Sequence, residues 1–208
     1  MLKMMLAFVR DMIRYRDAIK KQTKWIDKYA AKNGYAVNPN PMMNTHLKIW
    51  LSEMEETFGK RLCPCFEPSG DPKLDRAMIC PCKFMDAEIE EYGTCHCSLF
   101  GRPGMSKQEW KDSNARLMAE YRVELDLQGD TLDTRGMPLD KHRGLPIPDA
   151  SHQLKSALLQ WKGSQLEVIV ATRQEADNLE KIAAAKGYGY ACEHRDDAWH
   201  VHLKFTKE

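Results

Sequence analysis

The chain has 208 residues, and its 43% hydrophobic content is enough to bury a core, which argues against wholesale disorder. Its 31 lysines and arginines nearly balance 30 aspartates and glutamates, leaving a net charge of +1, whereas a general nucleic-acid-binding protein usually carries a clear basic excess. No apolar run approaches the roughly 20 residues of a membrane-spanning helix, and Met1–Val9 lacks the pattern of a secretion signal, so we expect a cytoplasmic protein without a membrane span.

Residues 2–32 are predicted to form one long helix or two helices in succession. Apolar residues recur there at roughly heptad spacing, at Leu2, Met5, Val9, Met12, Ile19 and Ile26. Asn33-Gly34 is a residue pair suited to a left-handed helix cap. Residues 1–32 also hold nine basic and three acidic side chains, a local charge of +6. Such a surface is either a solvated helix face or a contact for an acidic protein or a membrane surface.

The rest of the first part is predicted to be mainly helical around a turn-rich stretch. Its helices are expected at about 44–58, 86–91 and 106–120. Asp86 is predicted as the N-cap of the short helix. Ser106 and Glu109 have the spacing of a capping box at the start of the last one.

The second part is predicted to be a small two-layer β-α-β-α-β-β sandwich, which makes the fold class α+β. Its elements are a strand at 121–127, a helix at 150–161, a strand at 165–171, a helix at 173–186, and strands at 188–193 and 199–205. Residues 128–149 are predicted to form a long loop. The domains are then 1–105, a linker helix at 106–120, and 121–208.

Six of the seven cysteines lie in a 35-residue window, as the pairs Cys63/Cys65, Cys80/Cys82 and Cys95/Cys97. Thiolates cluster where a soft metal needs them. Structural zinc uses four ligands, usually with wider spacing, and structural disulfides fit a secreted chain better. A four-iron cluster takes four thiolates and leaves two. Spacing alone does not say which two cysteines are spare.

The surroundings of these pairs carry a longer pattern. Tyr29–Tyr35, an Asn-Pro loop and a helix precede the order Cys-Pro-Cys, Cys-Pro-Cys, Cys-His-Cys, which Ser98-Leu99-Phe100 follows. This pattern, over about residues 18–102, resembles the catalytic subunit of ferredoxin–thioredoxin reductase. The gaps between the pairs are similar to the archaeal and non-photosynthetic bacterial branch, so the substrate disulfide need not belong to a thioredoxin.

The resemblance implies a cofactor and its ligands. It implies a [4Fe–4S] cluster held by Cys63, Cys80, Cys82 and Cys95. Electrons would come singly from ferredoxin or a similar low-potential donor. They would leave to a thioredoxin-like or other disulfide protein. Nothing in the chain matches the family's separate small subunit, so a lone chain or a homodimer is expected.

The resemblance also implies that Cys65 and Cys97 form an active-site disulfide beside the cluster. Cys65 would be the exposed thiol that attacks the substrate, and Cys97 the thiol on the cluster side. His96 lies between Cys95 and Cys97. It is predicted either to move protons to and from the sulfurs or to be a structural histidine.

Leu132–Gly136 and Arg143–Pro148, ahead of a predicted helix, resemble the small sulfur-carrier proteins of the TusA/SirA type. That family carries sulfur on a cysteine where this chain has Ile147, so we expect docking or dimerisation rather than sulfur carriage. Two alternative functions remain open. One is a sulfur-transfer or persulfide-reducing protein that works with a sulfur carrier. The other is a non-enzymatic redox-sensing or zinc scaffold protein.

Overall fold

The structure is a computed structural model that describes residues 2–120, 124–137, 139–142 and 145–205. The chain divides into two compact units. Unit 1 comprises Met1–Cys65 and Met78–Arg122, and unit 2 comprises Phe66–Ala77 and Val123–Glu208. Helices and strands are both present, which confirms the α+β class. Within the described ranges, no helix combines the length and the apolarity needed to cross a membrane.

The elements are numbered along the chain. The α-helices are α1 (Leu2–Arg14), α2 (Arg16–Asn33), α3 (Pro41–Phe58), α4 (Pro72–Asp75), α5 (Met85–Tyr92), α6 (Lys107–Glu120), α7 (Asp149–Gln160) and α8 (Arg173–Lys186). The strands are β1 (Ala36–Val37), β2 (Phe100–Gly101), β3 (Thr131–Asp133), β4 (Leu139–His142), β5 (Leu145–Pro148), β6 (Gln165–Val170), β7 (Gly189–Arg195) and β8 (Ala198–Lys204).

The first predicted helical region is two helices, α1 and α2, which meet at Tyr15. Both pack against α3. The Tyr15 hydroxyl donates to Glu56 of α3 at 2.9 Å, which fixes the junction. Gly34 ends α2 at a φ of 71°, a left-handed conformation that a side chain would disfavour, and its N–H bonds to Ala30. The predicted cap is therefore confirmed.

The helix starts show which capping predictions hold. Ser106 and Glu109 exchange backbone-to-side-chain hydrogen bonds at 3.2 and 2.7 Å, so the capping box of α6 is confirmed. The prediction that Asp86 is the N-cap of α5 was wrong. The helix begins at Met85, one residue earlier than predicted, and Phe84 is the N-cap residue. Asp86 instead accepts a hydrogen bond from the Tyr35 hydroxyl at 2.7 Å.

Unit 2 contains a four-stranded sheet in the order β3-β6-β8-β7. β3 and β6 are parallel, and the remaining neighbours are antiparallel. The face of β6 with Leu166, Val168 and Val170 is buried, and α8 packs against β6, β7 and β8. The turn Asp196-Asp197 joins β7 to β8 with positive φ at both residues, as a two-residue hairpin turn requires.

The order from α7 to β8 is as predicted, but the region before it is not. Residues 121–123 of the predicted strand lie outside the described residues, and 124–127 are not strand. The strand that joins the sheet is β3, and the hairpin of β4 and β5 lies within the predicted loop at 128–149. β3 is only three residues long with a single buried apolar side chain, Leu132, so alternation could not reveal it.

The segment Phe66–Ala77, between the first two cysteine pairs, is part of unit 2. Phe66 is buried, and the Glu67 carboxylate contacts the Lys155 ammonium of α7 at 2.7 Å with both side chains buried. The Gln174 side chain of α8 donates to the carbonyl of Gly70. Helix α6 belongs to unit 1. The predicted domain division and two-layer arrangement stay predictions.

We expect Lys155→Ala to lower the free energy of unfolding by about 3 kcal/mol or more, because it leaves the buried Glu67 carboxylate without this cation. Urea unfolding followed by far-UV circular dichroism measures the change. Lys181→Ala, at an exposed lysine of α8, is the matched control and should change stability by less than about 0.5 kcal/mol. Equal effects of the two substitutions would contradict a stabilising buried pair. The double variant Glu67→Leu/Lys155→Met should recover most of the loss.

Candidate functional site

The first two cysteine pairs are brought together by backbone hydrogen bonds. Leu62 and Ile79 form an antiparallel bridge. The amide of Cys63 donates to the Met78 carbonyl, and the amide of Cys80 donates to the Arg61 carbonyl, both at 2.7 Å. Each pair therefore starts beside the other, although 14 residues separate Cys65 from Cys80. The geometry depends on main-chain groups and leaves the sulfurs available.

The third pair lies in a turn that begins after Thr94, which bridges to Gly101. The amide of Cys95 donates to the Phe100 carbonyl at 2.9 Å, and the amide of Ser98 donates back to Cys95 at 2.7 Å. Ser98 has a φ of 58°, a conformation that is uncommon for a side-chain-bearing residue. The tight turn projects the sulfurs of Cys95 and Cys97 within 3.8 Å of each other.

Two asparagines hold this turn from outside. The side-chain amide of Asn38 donates to the Ser98 carbonyl at 2.7 Å, and the backbone N–H of Asn38 donates to the Leu99 carbonyl at 3.0 Å. The Asn114 side chain of α6 donates to the Ser98 hydroxyl at 2.8 Å. Gly101 closes the turn against Trp110, whose ring would lie 2.8 Å from a Cβ at that position. A larger residue would push α6 away from the turn.

The six clustered cysteines meet in one place. The sulfurs of Cys63, Cys65 and Cys97 lie within 4.8 Å of one another. A small cavity is shared by sulfur-bearing residues of all three pairs, with Cys63, Cys80, Cys82, Cys95 and Cys97 in its lining. The seventh cysteine, Cys192, lies on β7 of unit 2. The structure thus brings together every cysteine that the sequence grouped.

Exposure divides the six cysteines into two classes. Four are buried, namely Cys63, Cys80, Cys82 and Cys95. Cys65 and Cys97 are half-buried, and Cys65 is absent from the cavity lining. Cys65 and Cys97 are therefore the two residues of the six that are most exposed to solvent.

The thiols perturb one another strongly. Hydrogen bonds to neighbouring thiols, together with burial, raise the pKa of Cys63 and Cys95 well above the ordinary value. Burial is the main cause of the raised pKa of Cys65 and Cys80. The pKa of Cys97 is instead well below its ordinary value, because Cys63, Cys65 and Cys95 hydrogen-bond to its sulfur. The neighbouring thiols therefore favour the ionised form of Cys97.

His96 is buried and is held by Glu88 of α5, which is also fully buried. One Glu88 oxygen accepts the His96 amide at 2.8 Å, and the other lies 3.3 Å from Nδ1 of the ring. Sequence reasoning missed Glu88. It shares the buried face of α5 with Met85, Ile89 and Tyr92, so an acidic residue at an apolar helical position was the available signal.

An aromatic cluster backs the third pair. The Phe100 ring lies 5.3 Å from that of Tyr29 and 6.5 Å from that of Tyr35, centroid to centroid. The Phe100 amide donates to the sulfur of Cys95 at 3.3 Å. The stretch Tyr29–Tyr35 is therefore connected to the cysteines through Phe100, which explains why it belongs to the same sequence pattern.

A family model described as "Ferredoxin thioredoxin reductase catalytic beta chain" matches residues 14–123, slightly more than half of the chain. The chain belongs to this family. The match contains all six clustered cysteines, His96 and Glu88. Members of the ferredoxin thioredoxin reductase catalytic chain family are iron–sulfur proteins. Membership of this family indicates that the chain is an iron–sulfur disulfide reductase. A search of the curated proteins found no match.

The residues present fit the cofactor of a ferredoxin thioredoxin reductase catalytic chain. Iron–sulfur clusters are held by cysteine thiolates, four of them for a four-iron cluster. The site offers sulfur ligands, and four cysteines are both buried and placed around one cavity. Burial protects a cluster from water and oxygen, and two further cysteines, Cys65 and Cys97, lie beside these four.

We expect Glu88→Leu to lower the free energy of unfolding by about 1–3 kcal/mol, because the buried amide of His96 loses its acceptor. Urea unfolding of the purified full chain measures this. Glu90→Leu, at an exposed position of the same helix, is the matched control and should have an effect within about 0.5 kcal/mol of zero. A Glu88→Leu protein as stable as the Glu90→Leu protein would contradict a supporting role for Glu88.

Proposed function

We propose that the protein is a cytoplasmic iron–sulfur thiol–disulfide oxidoreductase. Electrons from ferredoxin or a similar low-potential donor would pass to an active-site disulfide and on to a protein disulfide such as that of thioredoxin. The main support is the convergence of three Cys-x-Cys pairs, with four buried and two half-buried cysteines, in a chain of this family.

Cys63, Cys80, Cys82 and Cys95 are the proposed ligands of a [4Fe–4S] cluster. They are the four buried cysteines of the site, and all four line the shared cavity. The cluster, when bound, supplies single electrons to the neighbouring disulfide. The four thiolates would hold it through backbone segments that are already fixed by hydrogen bonds, such as the pairing of Cys63 with Met78.

Cys65 and Cys97 are the proposed reactive thiols. Their sulfurs lie within 4.8 Å, close enough to join with a small movement of either side chain. Because burial raises the pKa of Cys65, its thiol must first lose a proton. The resulting thiolate attacks one sulfur of the substrate disulfide, which breaks that bond and leaves a mixed disulfide. Cys97 then attacks the Cys65 sulfur, and the substrate leaves with two thiols while Cys65 and Cys97 form a disulfide. The low pKa of Cys97 favours this second step, since it supplies a thiolate.

His96 is the proposed proton carrier for these steps. Glu88 binds its backbone amide and lies beside Nδ1, so the ring has one orientation next to the cysteines. The departing substrate sulfur needs a proton, and an imidazole can exchange one near neutral pH. Glu88 acts through His96 and is a positioning residue.

Residues 121–208 are proposed to be a degenerate sulfur-carrier-like domain of the TusA/SirA type with a two-layer arrangement. The order α7-β6-α8-β7-β8 and the packing of α8 on the sheet support this. Because Ile147 stands at the carrier position, the domain would dock a partner rather than carry a persulfide. Sulfide release during turnover would favour the alternative of a persulfide-reducing protein.

Iron and acid-labile sulfide analysis of protein purified without oxygen tests the cofactor. We expect about four of each per chain, with broad absorbance from the thiolate-bound cluster. A zinc scaffold is the competing result, because the sulfurs of Cys63, Cys65 and Cys97 lie within 4.8 Å of one another and could hold a zinc ion. Zinc without sulfide would overturn the reductase.

Cys65→Ser separates chemistry from cofactor binding. We expect it to reduce disulfide turnover to background while iron and sulfide content stay unchanged, because the substitution removes the attacking thiol and no ligand. The assay couples a reduced low-potential donor to a thioredoxin-like disulfide. Cys192→Ser, far along the chain on β7, is the matched control and should keep full turnover.

Cys63→Ser completes the comparison, because it removes a proposed ligand and should lower bound iron. Loss of iron from the Cys65→Ser protein, with iron retained by the Cys63→Ser protein, would reverse our assignment of ligand and thiol.

A further inference from the structure

Helix α1 carries an apolar stripe that the fold leaves exposed. Its members, with their exposed fractions, are Met5 (63%), Leu6 (61%), Val9 (45%), Met12 (37%) and Ile13 (73%). At 3.6 residues per turn these five positions share an arc of about 120°. Large apolar side chains that are contiguous in this way indicate a contact surface, whereas a solvated helix face carries polar residues.

A neighbouring side of α1 is the one that packs. The Phe8 ring lies 4.2 Å from the His46 ring of α3, centroid to centroid, and buried Tyr15 reaches Glu56. Met42 and Met43 of α3 lie one turn before His46 and are also exposed. The stripe is therefore not the face that attaches α1 to unit 1.

One edge of the stripe is basic. Arg10 and Arg14 follow Val9 and Ile13 directly, and α2 continues with a ridge of exposed cations at every fourth residue. The members of this ridge are Arg16, Lys20, Lys24 and Lys28. Three nearby acidic groups offset part of this charge. Arg10 contacts Asp11, and Arg14 contacts Glu56. Asp17 contacts both Arg16 and Lys20 of the ridge. Residues 1–32 taken by themselves carry a net charge of +6.

We propose that α1 docks the protein on an anionic membrane surface, with the stripe in the boundary between headgroups and acyl chains. Apolar residues on one face and arginines along its edge are the pattern of a helix that lies in the membrane plane. Anionic lipid complements the charge of +6. A second copy packed stripe to stripe would bring two such segments together, which like-charge repulsion opposes.

The family match begins at residue 14, directly after the stripe, so α1 adds a contact that the shared fold does not need. Membrane docking is independent of the chemistry of the cysteine cluster. It changes where the protein acts rather than which bond it breaks.

Vesicle flotation of the full chain tests the proposal. We expect it to float with vesicles that contain about 30% phosphatidylserine, and to bind neutral phosphatidylcholine vesicles or vesicles in high salt at least about tenfold more weakly. Leu6→Gln/Ile13→Gln should reduce binding at least about tenfold, because both side chains are exposed and belong to the stripe. Met118→Gln, at an exposed apolar residue of α6, should bind as the unchanged protein does.

Circular dichroism of the double variant, matched to that of the unchanged chain, shows that a loss of binding is not a loss of fold. Three results would overturn membrane docking. In the first, the unchanged chain does not float with either type of vesicle. In the second, the double variant floats as well as the unchanged chain does. In the third, light scattering shows that the unchanged chain is a dimer and that the double variant is a monomer. The stripe would then be an interface between copies of the chain.

Discussion

Mutual repulsion among closely placed thiolates is the constraint around which unit 1 is built. Three sulfurs lie within 4.8 Å of one another, and a fourth lies 3.8 Å from Cys97. Without a metal, thiols this close cannot all ionise, and the raised pKa values of Cys63 and Cys95 express that cost. Hydrogen bonds from Cys63, Cys65 and Cys95 instead lower the pKa of Cys97. A cationic metal core relieves the same repulsion, so cofactor binding and the stability of this site are linked.

A site under such repulsion needs support that does not consume the sulfurs, and the structure supplies it from the main chain. Cys63 and Cys80 are registered by amide-to-carbonyl bonds, and the turn at Ser98 is held by Asn38 and by Asn114. His96 is also held through its main chain, because its backbone N–H donates a hydrogen bond to the Glu88 carboxylate. The bonding of the sulfurs can therefore change without loss of the backbone frame that positions them.

Structural features that depend on neighbouring residues could be predicted from the sequence alone. Gly34 and the Ser106–Glu109 box act over a few residues, and the sequence predicted both. The grouping of six cysteines was also readable, because cysteine is rare and its spacing is distinctive.

Features that depend on residues distant in the sequence could not be predicted from the sequence alone. β3 is a strand because it pairs with β6, whose residues follow more than 30 positions later, and its three residues carry no pattern of their own. Segment Phe66–Ala77 joins unit 2 through Lys155 and Gln174, which no local spacing could indicate. Glu88 looked like a surface residue of a short acidic helix until the burial of that helix was known.

The family core and the residues outside it divide the work of the protein. Residues 14–123 hold every group proposed for electron and proton transfer, so the chemistry needs nothing beyond the shared fold. What the chain adds are the apolar stripe of α1 and most of unit 2, and neither contributes a proposed ligand or reactive thiol. Since thiol–disulfide exchange is limited by which disulfides reach the attacking sulfur, added surfaces can change substrate choice while Cys65 and Cys97 remain as they are. Differences in partner between this protein and other members of its family should therefore be sought in these added surfaces rather than in the cysteine cluster.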